Sequence, residues 1–146
     1  MELPLVRVTR HYRFTAAHFY YDPALSESEN RRRFGKCANR HGHGHNYRVE
    51  VTLRGPTHPD TGMLIDLRDL DQMVEERVLE PLDHRNLNVE LEWFRRRLPT
   101  SENLALFVWE RLAALLEGKL ERVRIHESED LSAEYDGSGA ESEVDA

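Results

Sequence analysis

The sequence of 146 residues contains one cysteine, Cys37, and no long run of apolar residues. A single thiol cannot form an intrachain disulfide, so a disulfide-stabilised fold is excluded. Charged residues make up 32% of the chain and the mean hydropathy is -0.69. No stretch approaches the ~20 apolar residues of a membrane span, so we expect no membrane partner.

Basic residues are also in the minority, with 20 Lys and Arg against 27 Asp and Glu and a net charge of -7. An acidic chain is a poor match for a nucleic-acid backbone, so nucleic acid is not the expected partner. Charges near the N-terminus interrupt the apolar core that a secretory signal needs, and we expect a cytoplasmic protein. The length fits one domain, which we place at residues 1–136.

Five segments have the period-two alternation or the turn-bounded composition of strands. We predict strands over 4–18, 43–54, 63–66, 119–127 and 131–136. Residues 19–42 between the first two strands have no sustained period and are predicted to form a long loop, as is the segment 81–88. The acidic tail, residues 137–146, is poor in large apolar residues and is predicted to be disordered.

Two amphipathic helices are predicted between these strands. The first begins after Asp66 as N-cap and is stopped by Pro81, and the second begins at Pro99–Glu102 and ends at Gly118. Because strands and helices do not alternate, the order indicates an α+β fold, with an antiparallel sheet and helices on one face.

Histidine is abundant, with eight residues in the chain, three of them in the stretch His41-Gly-His43-Gly-His45. Alternate residues of a strand point to one face, so His43 and His45 project together. If the first two strands pair, His18 at the end of the first strand could add a third nitrogen. Three histidines with an open fourth position is the catalytic zinc arrangement. Two alternatives stay open: a structural zinc site with Cys37 as fourth ligand, and a flexible loop that binds metal incidentally.

Three further features are weaker signals. In the pair Asp83-His84, the carboxylate could fix the tautomer of the imidazole and raise the basicity of a third group such as a thiolate, although such pairs are often only capping or turn residues. Glu127 continues the apolar parity of the late strand, and a buried acid needs a partner such as an amino-pyrimidine. Two arginine runs, 31–33 and 95–97, could meet a polyphosphate but are more often solvated surface.

Seven linked motifs between residues 5 and 136 resemble the 6-pyruvoyl tetrahydropterin synthase family, which includes the bacterial 6-carboxytetrahydropterin synthases. The motifs, in chain order, are FTAAH, FGKC, HGHNY, the DTGMLIDL hairpin, PLDHxNL, PTSEN and the late strand glutamate. Only the acidic tail lies outside the resemblance.

The resemblance implies a tunnelling fold: a four-stranded antiparallel sheet with two helices on one face, three subunits closing a twelve-stranded barrel, and two trimers stacked as a homohexamer. It implies a zinc enzyme acting on 7,8-dihydroneopterin triphosphate, a small-molecule pterin substrate. The implied metal ligands are His18, His43 and His45. The implied catalytic residues are Cys37 as base with Asp83 and His84, and the implied substrate-binding residues are Glu127, Thr100, Ser101 and Glu102.

Two product types compete within the resemblance. Five residues separate Cys37 from His43, which favours the pyruvoyl-forming type and a tetrahydrobiopterin pathway. The shorter Cys37-x3-His41 spacing also satisfies the pattern of the carboxy-forming type, which releases acetaldehyde and leads to queuosine-like deazaguanines. A non-enzyme alternative is a structural-zinc interaction module.

Overall fold

Two long strands form the centre of the structure, a computed structural model that describes residues 2–142. Strand β1 (Leu5–His18) pairs antiparallel with β2 (His43–Pro56) along its whole length, from Leu5 opposite Pro56 to His18 opposite His43. β2 pairs antiparallel with β4 (Leu120–His126), and β4 with β5 (Ser132–Tyr135). These strands confirm the predicted segments to within two residues at each end.

The sheet has five strands in the order β3-β1-β2-β4-β5 and is mixed. The prediction of a four-stranded antiparallel sheet was therefore wrong in one respect. The additional strand, β3 (Arg85–Asn86), runs parallel to β1 opposite Ala16 and Ala17. Two residues are too few to produce a period-two pattern, so this strand has no sequence signature.

The long loop predicted for residues 19–42 contains helical structure. Helix α1 (Glu27–Phe34) begins after Ser26, whose side chain accepts a hydrogen bond from the Glu29 backbone, and a 3₁₀ turn (Gly35–Ala38) follows. Asn30 is the one buried residue of α1. Because this helix is polar, it has no apolar stripe, and a search for apolar periodicity in the sequence could not predict it.

The predicted strand over 63–66 is not formed. These residues lie in an irregular segment that leads to Asp66, whose carboxylate accepts from the Arg68 backbone at the start of α2 (Leu67–Val74). A π-helical turn (Glu75–Leu79) and α3 (Glu80–Leu82) continue this helix.

The helix ends one residue after Pro81, inside the loop predicted for 81–88. Proline has no N–H to donate to the carbonyl four residues earlier. That carbonyl, of Arg77, instead accepts from Arg111 Nε at 2.9 Å. The rest of the predicted loop holds β3 and the short helix α4 (Leu87–Glu90), with a 3₁₀ turn (Glu92–Phe94) beyond it.

The second predicted helix is confirmed as α5 (Ser101–Leu112), followed by a 3₁₀ turn (Ala114–Leu116). Both main helices cover one face of the sheet, as expected. The core between them is fully buried and contains Val49, Val51, Leu53, Leu70, Val74, Leu104, Val108, Leu112, Val123 and Ile125. Within residues 2–142, no helix has the length and apolar character to cross a bilayer. Residues 137–142 form no helix or strand, and positions 143–146 of the predicted disordered tail lie outside the described residues.

Candidate active site

Three histidines converge at one end of the β1–β2 pair, on the same face as the helices. His18 is the last residue of β1 and lies opposite His43, the first residue of β2. His45 follows His43 by two positions and shares its face. Gly42 has φ 78° and approaches the His18 carbonyl so closely that a Cβ would lie 3.2 Å from that oxygen. A glycine is therefore required where the chain enters β2 beside His18.

The three imidazoles present nitrogens to one point. His18 Nε2 lies 3.0 Å from His43 Nε2, and one ring nitrogen from each of the three histidines falls within 4.8 Å of the others. Nitrogens bound tetrahedrally at ~2.0–2.1 Å from a zinc ion would be about 3.3 Å apart. The trio is therefore close to the spacing of a three-histidine metal site, and the predicted pairing of β1 with β2 brings it together.

The protonation of His18 is fixed by its surroundings. His18 Nδ1 is 2.9 Å from the carbonyl oxygen of Pro99 and 3.1 Å from the Tyr47 hydroxyl. A carbonyl can only accept, so Nδ1 carries the proton and Nε2 keeps a lone pair. Burial lowers the pKa of His18 to about 4 and also lowers the pKa of His45. Both imidazoles are therefore neutral at physiological pH, as metal ligands must be.

Glu127 places a carboxylate against this trio. It follows β4 immediately, and its Oε1 atom lies 3.5 Å from His18 Nε2 and 3.7 Å from His45 Nε2. Glu127 Oε1 and His45 Nε2 are both buried and have no hydrogen-bond partner. Buried, unpaired polar atoms are costly. A cation held by the three ring nitrogens would give His45 Nε2 a partner and would lie close to the Glu127 charge, so the residues present fit a bound metal ion such as zinc.

Cys37 lies beside the trio but is not part of it. It belongs to the 3₁₀ turn after α1, and its carbonyl accepts from the Tyr20 backbone at 2.7 Å. With His43 it lines a pocket of about 1220 Å³. Burial, followed by the charge of Glu127, raises the pKa of the Cys37 thiol. Lowering this pKa needs a positive charge close to the thiol, such as a cation held by the three histidines.

The pair Asp83-His84 lies elsewhere in the chain. Asp83 accepts from the Thr15 backbone at 2.9 Å and contacts His84 Nδ1 at 3.0 Å. It lines a separate pocket of about 360 Å³ with Thr15 and Asn46. His84 has φ 61° and a side chain that is 81% exposed. Across residues 2–142, no hydrogen bond or ion pair links Cys37 to this pair.

The model of the family described as 6-pyruvoyl tetrahydropterin synthase matches residues 7–138. The chain belongs to this family. The 6-pyruvoyl tetrahydrobiopterin synthase of Homo sapiens is 41% identical over 132 residues, which cover 90% of this chain and 91% of the relative. The solved structure of Caenorhabditis elegans 6-pyruvoyl tetrahydropterin synthase superposes with a TM-score of 0.89 at 39% identity, covering 94% of this chain and 99% of that chain. Similarity to a putative 6-carboxy-5,6,7,8-tetrahydropterin synthase of Archaeoglobus fulgidus is less extensive, at 41% identity over 93 residues, or 63% of this chain and 73% of the relative.

The start of α5 is linked to the trio through Pro99, whose carbonyl holds His18. Thr100 is the N-cap of α5 and accepts from the Asn103 backbone at 3.1 Å. Ser101 is buried and its hydroxyl has no hydrogen-bond partner, whereas Glu102 is exposed. Of these three predicted substrate-binding residues, Ser101 therefore has an unsatisfied group, and Thr100 already uses its hydroxyl for the helix.

Two tyrosines of the site were not identified from the sequence. Tyr47 contacts His18 Nδ1, and its own pKa is raised by burial and by Glu127. The pKa of Tyr20 is raised by burial and by the charges of Glu127, Cys37 and Glu102, which places its phenol among three predicted site residues. Their spacing in the sequence could have identified them: Tyr20 lies two positions after His18, and Tyr47 lies two positions after His45, and residues two apart in an extended chain point to the same face.

Proposed function

We propose that this chain is a zinc-dependent lyase that converts 7,8-dihydroneopterin triphosphate to 6-pyruvoyl tetrahydropterin with loss of triphosphate. The observation that carries the proposal is the convergence of His18, His43 and His45 beside an unpaired oxygen of Glu127. The name of the human relative and its coverage of nine tenths of this chain support the reaction type.

The three histidines would hold the zinc ion through their ring nitrogens, and His41, which is exposed and outside the group, would not. Bound zinc supplies Lewis acidity to oxygens of the substrate side chain. Pro99 and Tyr47 hold the His18 ring so that Nε2 faces the metal position. Because His18 is fully buried, its contacts with Pro99 and Tyr47 are stronger than they would be in water.

Glu127 is assigned to the pterin ring. Its carboxylate is 12% exposed and has an oxygen without a partner, so it can accept from the amino and ring N–H groups of an amino-pyrimidine. The unpaired Ser101 hydroxyl would extend the same polar surface, next to Thr100 and Glu102 at the start of α5.

Cys37 is assigned the role of the base that takes a proton from the substrate side chain. Burial raises the pKa of its thiol, so thiolate formation needs cations close by, of which a zinc ion at the three histidines would be one. An imidazolium held by a carboxylate is such a cation, and the Asp83-His84 pair has that composition. Because the pair lies apart from Cys37 within one chain, we assign its contact with Cys37 to a neighbouring subunit.

The subunits are proposed to form trimers whose sheets close a barrel, with two trimers in a hexamer. The outer edge of β1 supports this, because β3 covers it only at Ala16 and Ala17 while β1 has 14 residues. Open edges of long strands are normally paired or protected. Leu3 and Leu5, at 60% and 55% exposure, lie at the start of the same edge.

The test is a product assay with purified protein, zinc and 7,8-dihydroneopterin triphosphate. We expect release of tripolyphosphate and formation of the pyruvoyl product, with no acetaldehyde. Acetaldehyde with a 6-carboxy product would assign the chain to the carboxy-forming branch. Absence of any turnover by the zinc-loaded oligomer would favour the structural-zinc module, although Cys37 lies outside the three-histidine group that this module would need to close.

A further inference from the structure

Arginines from the two runs, which are about 60 positions apart in the sequence, meet around one pocket. Five arginines line it, and we refer to it as the arginine pocket: Arg33, Arg40, Arg95, Arg96 and Arg97. Its volume is about 790 Å³, and its lining includes Phe19, the residue that follows His18. The sequence alone could not predict that these arginines lie close together, because residues 19–42 have no periodic pattern that fixes their structure.

The charge of this pocket opposes that of the chain. The chain carries a net charge of -7, yet Asp22 is the single acidic residue lining the arginine pocket. Asp22 lies 3.9 Å from Arg33, a long contact between two partly exposed groups, and compensates one of five positive charges. Glu92 pairs with Arg95 at 3.1 Å from outside the lining. Arg96 has no ion pair within residues 2–142.

Two guanidinium groups of the pocket are held by aromatic rings. Arg40 stacks on Tyr21 at 3.9 Å from the ring centroid, and Arg97 stacks on Trp93 at 4.2 Å while also donating to the Trp93 carbonyl. Stacking orients the plane of a guanidinium and leaves N–H groups at its edge free. Planar, oriented guanidinium groups bind phosphate oxygens in pairs. The pocket therefore has both the charge and the geometry for a phosphate-bearing ligand.

The arginine pocket adjoins the pocket that holds Cys37 and His43. Tyr21 and Arg40 line both. On the other side, Leu98 of the arginine pocket precedes Pro99, whose carbonyl holds His18. A ligand seated at the three histidines could therefore extend a flexible anionic chain past Arg40 into the arginine pocket.

We propose that the arginine pocket binds a linear polyphosphate of three phosphates. We identify this polyphosphate as the triphosphate tail of the pterin substrate, and this identification rests on the proposed function. The same pocket then retains the tripolyphosphate that the reaction releases. A free polyphosphate compound such as a nucleoside triphosphate has the same chemistry and is distinguished by the second measurement below.

The first measurement needs no turnover. Binding of inorganic tripolyphosphate to the zinc-loaded protein is followed by calorimetry, for the wild type and for the double variant Arg33→Gln/Arg96→Gln. We expect the double variant to bind at least about tenfold more weakly, and wild-type binding to weaken as salt is added. The control is Arg32→Gln, which removes one positive charge from the helix that carries Arg33 but lines neither pocket, and which should bind as the wild type does.

The second measurement separates the two sources. If the substrate tail occupies the pocket, the double variant raises the KM for the pterin triphosphate at least about tenfold, and Arg32→Gln does not. An unchanged KM, with tripolyphosphate binding lost, overturns the assignment to the substrate and leaves a separate polyphosphate ligand. Equal binding of tripolyphosphate by wild type and double variant, with zinc content and melting temperature unchanged in both, overturns the arginine pocket itself. Because binding is measured without catalysis, failure of the proposed reaction would not affect this result.

Discussion

A single carbonyl group decides which nitrogen of His18 faces the other two histidines. Because the Pro99 oxygen accepts from Nδ1, the Nε2 lone pair is directed to the point that His43 and His45 share. This orientation depends on the loop before α5, about 80 positions away in the sequence. The spacing of His43 and His45 on one strand predicts a pair of ligands, but no sequence pattern specifies a backbone acceptor for the third.

The prediction for the metal site contrasts His41 with His45. Alanine at His45 removes one of the three converging nitrogens, so we expect zinc content to fall from about one ion per subunit to well below half. Alanine at the exposed His41 should leave it unchanged. Zinc is measured by atomic absorption after dialysis against a weak chelator. Comparable zinc loss in both variants would contradict the assignment of His18, His43 and His45.

The prediction for Glu127 separates substrate binding from metal binding. Glutamine preserves the shape of the side chain but replaces the carboxylate, whose oxygens would accept hydrogen bonds from the pterin, by an uncharged amide. We therefore expect Glu127→Gln to keep its zinc and to raise the KM for the pterin at least about tenfold, as loss of a charged hydrogen bond of ~1.5–3 kcal/mol implies. Glu129→Gln, two positions further along in the exposed turn, is the matched control. Stoichiometric loss of zinc from Glu127→Gln would instead make this carboxylate a metal ligand.

The secondary-structure elements divide into those that the sequence predicts and those that it does not. Strands β1 and β2 are each 14 residues long and half-buried, so their alternation extends over enough positions to be recognised. Helix α1 is polar on all sides, and β3 has two residues that are fixed by the Asp83-His84 turn. For these two elements the tertiary contacts, rather than a local pattern, determine the structure.

The face of the sheet opposite the helices holds a network of charges. Glu50 of β2 contacts His126 at 2.7 Å, and Arg124 and His11 at 3.7 and 3.5 Å. Burial raises the pKa of Glu50, but the hydrogen bond from His126 and the neighbouring charges outweigh it, so that its pKa lies below the ordinary value of 4.5. A carboxylate with a lowered pKa stabilises the fold above pH 4.5, and this contribution is lost as the pH falls through the lowered value.

The prediction for this network is a pH-dependent loss of stability in Glu50→Gln. At pH 7 we expect the free energy of unfolding to fall by about 1–2 kcal/mol, because the amide cannot hold the charged partners. The difference should narrow as the pH falls below 4.5 and through the lowered pKa of Glu50, where the wild-type carboxylate becomes protonated. Urea unfolding of wild type and variant, at pH 7 and at a pH well below 4.5, measures this difference in the free energy of unfolding. The control is Glu134→Gln, because the carboxylate of Glu134 is 47% exposed; this change should lower the free energy of unfolding by less than about 1 kcal/mol. If Glu50→Gln lost the same stability at both pH values, the role of the charge would be contradicted.

At the scale of the whole molecule, the proposed catalytic groups lie in two separate places of one chain. The three histidines, Glu127 and Cys37 are close together, whereas Asp83 and His84 lie at the partly covered edge of β1. The motifs in the sequence predict which groups belong to the site, but they cannot predict whether one chain or two would provide them. An exposed imidazole at positive φ, held by a carboxylate at an open strand edge, is well placed to act in an adjoining subunit.

The last prediction tests this arrangement by mixing two inactive proteins. Cys37→Ala and His84→Ala each remove one catalytic group and leave the zinc ligands in place, so each should bind zinc, assemble and lack turnover. If Cys37 and His84 of one site come from different chains, random co-assembly restores about one site in four. We expect about a quarter of wild-type activity after co-refolding equal amounts, with sedimentation confirming an oligomer of the wild-type size. Mixed oligomers, verified by native mass spectrometry, that remain inactive would place both groups in one chain, and a stable monomer at micromolar concentration would contradict the barrel assembly.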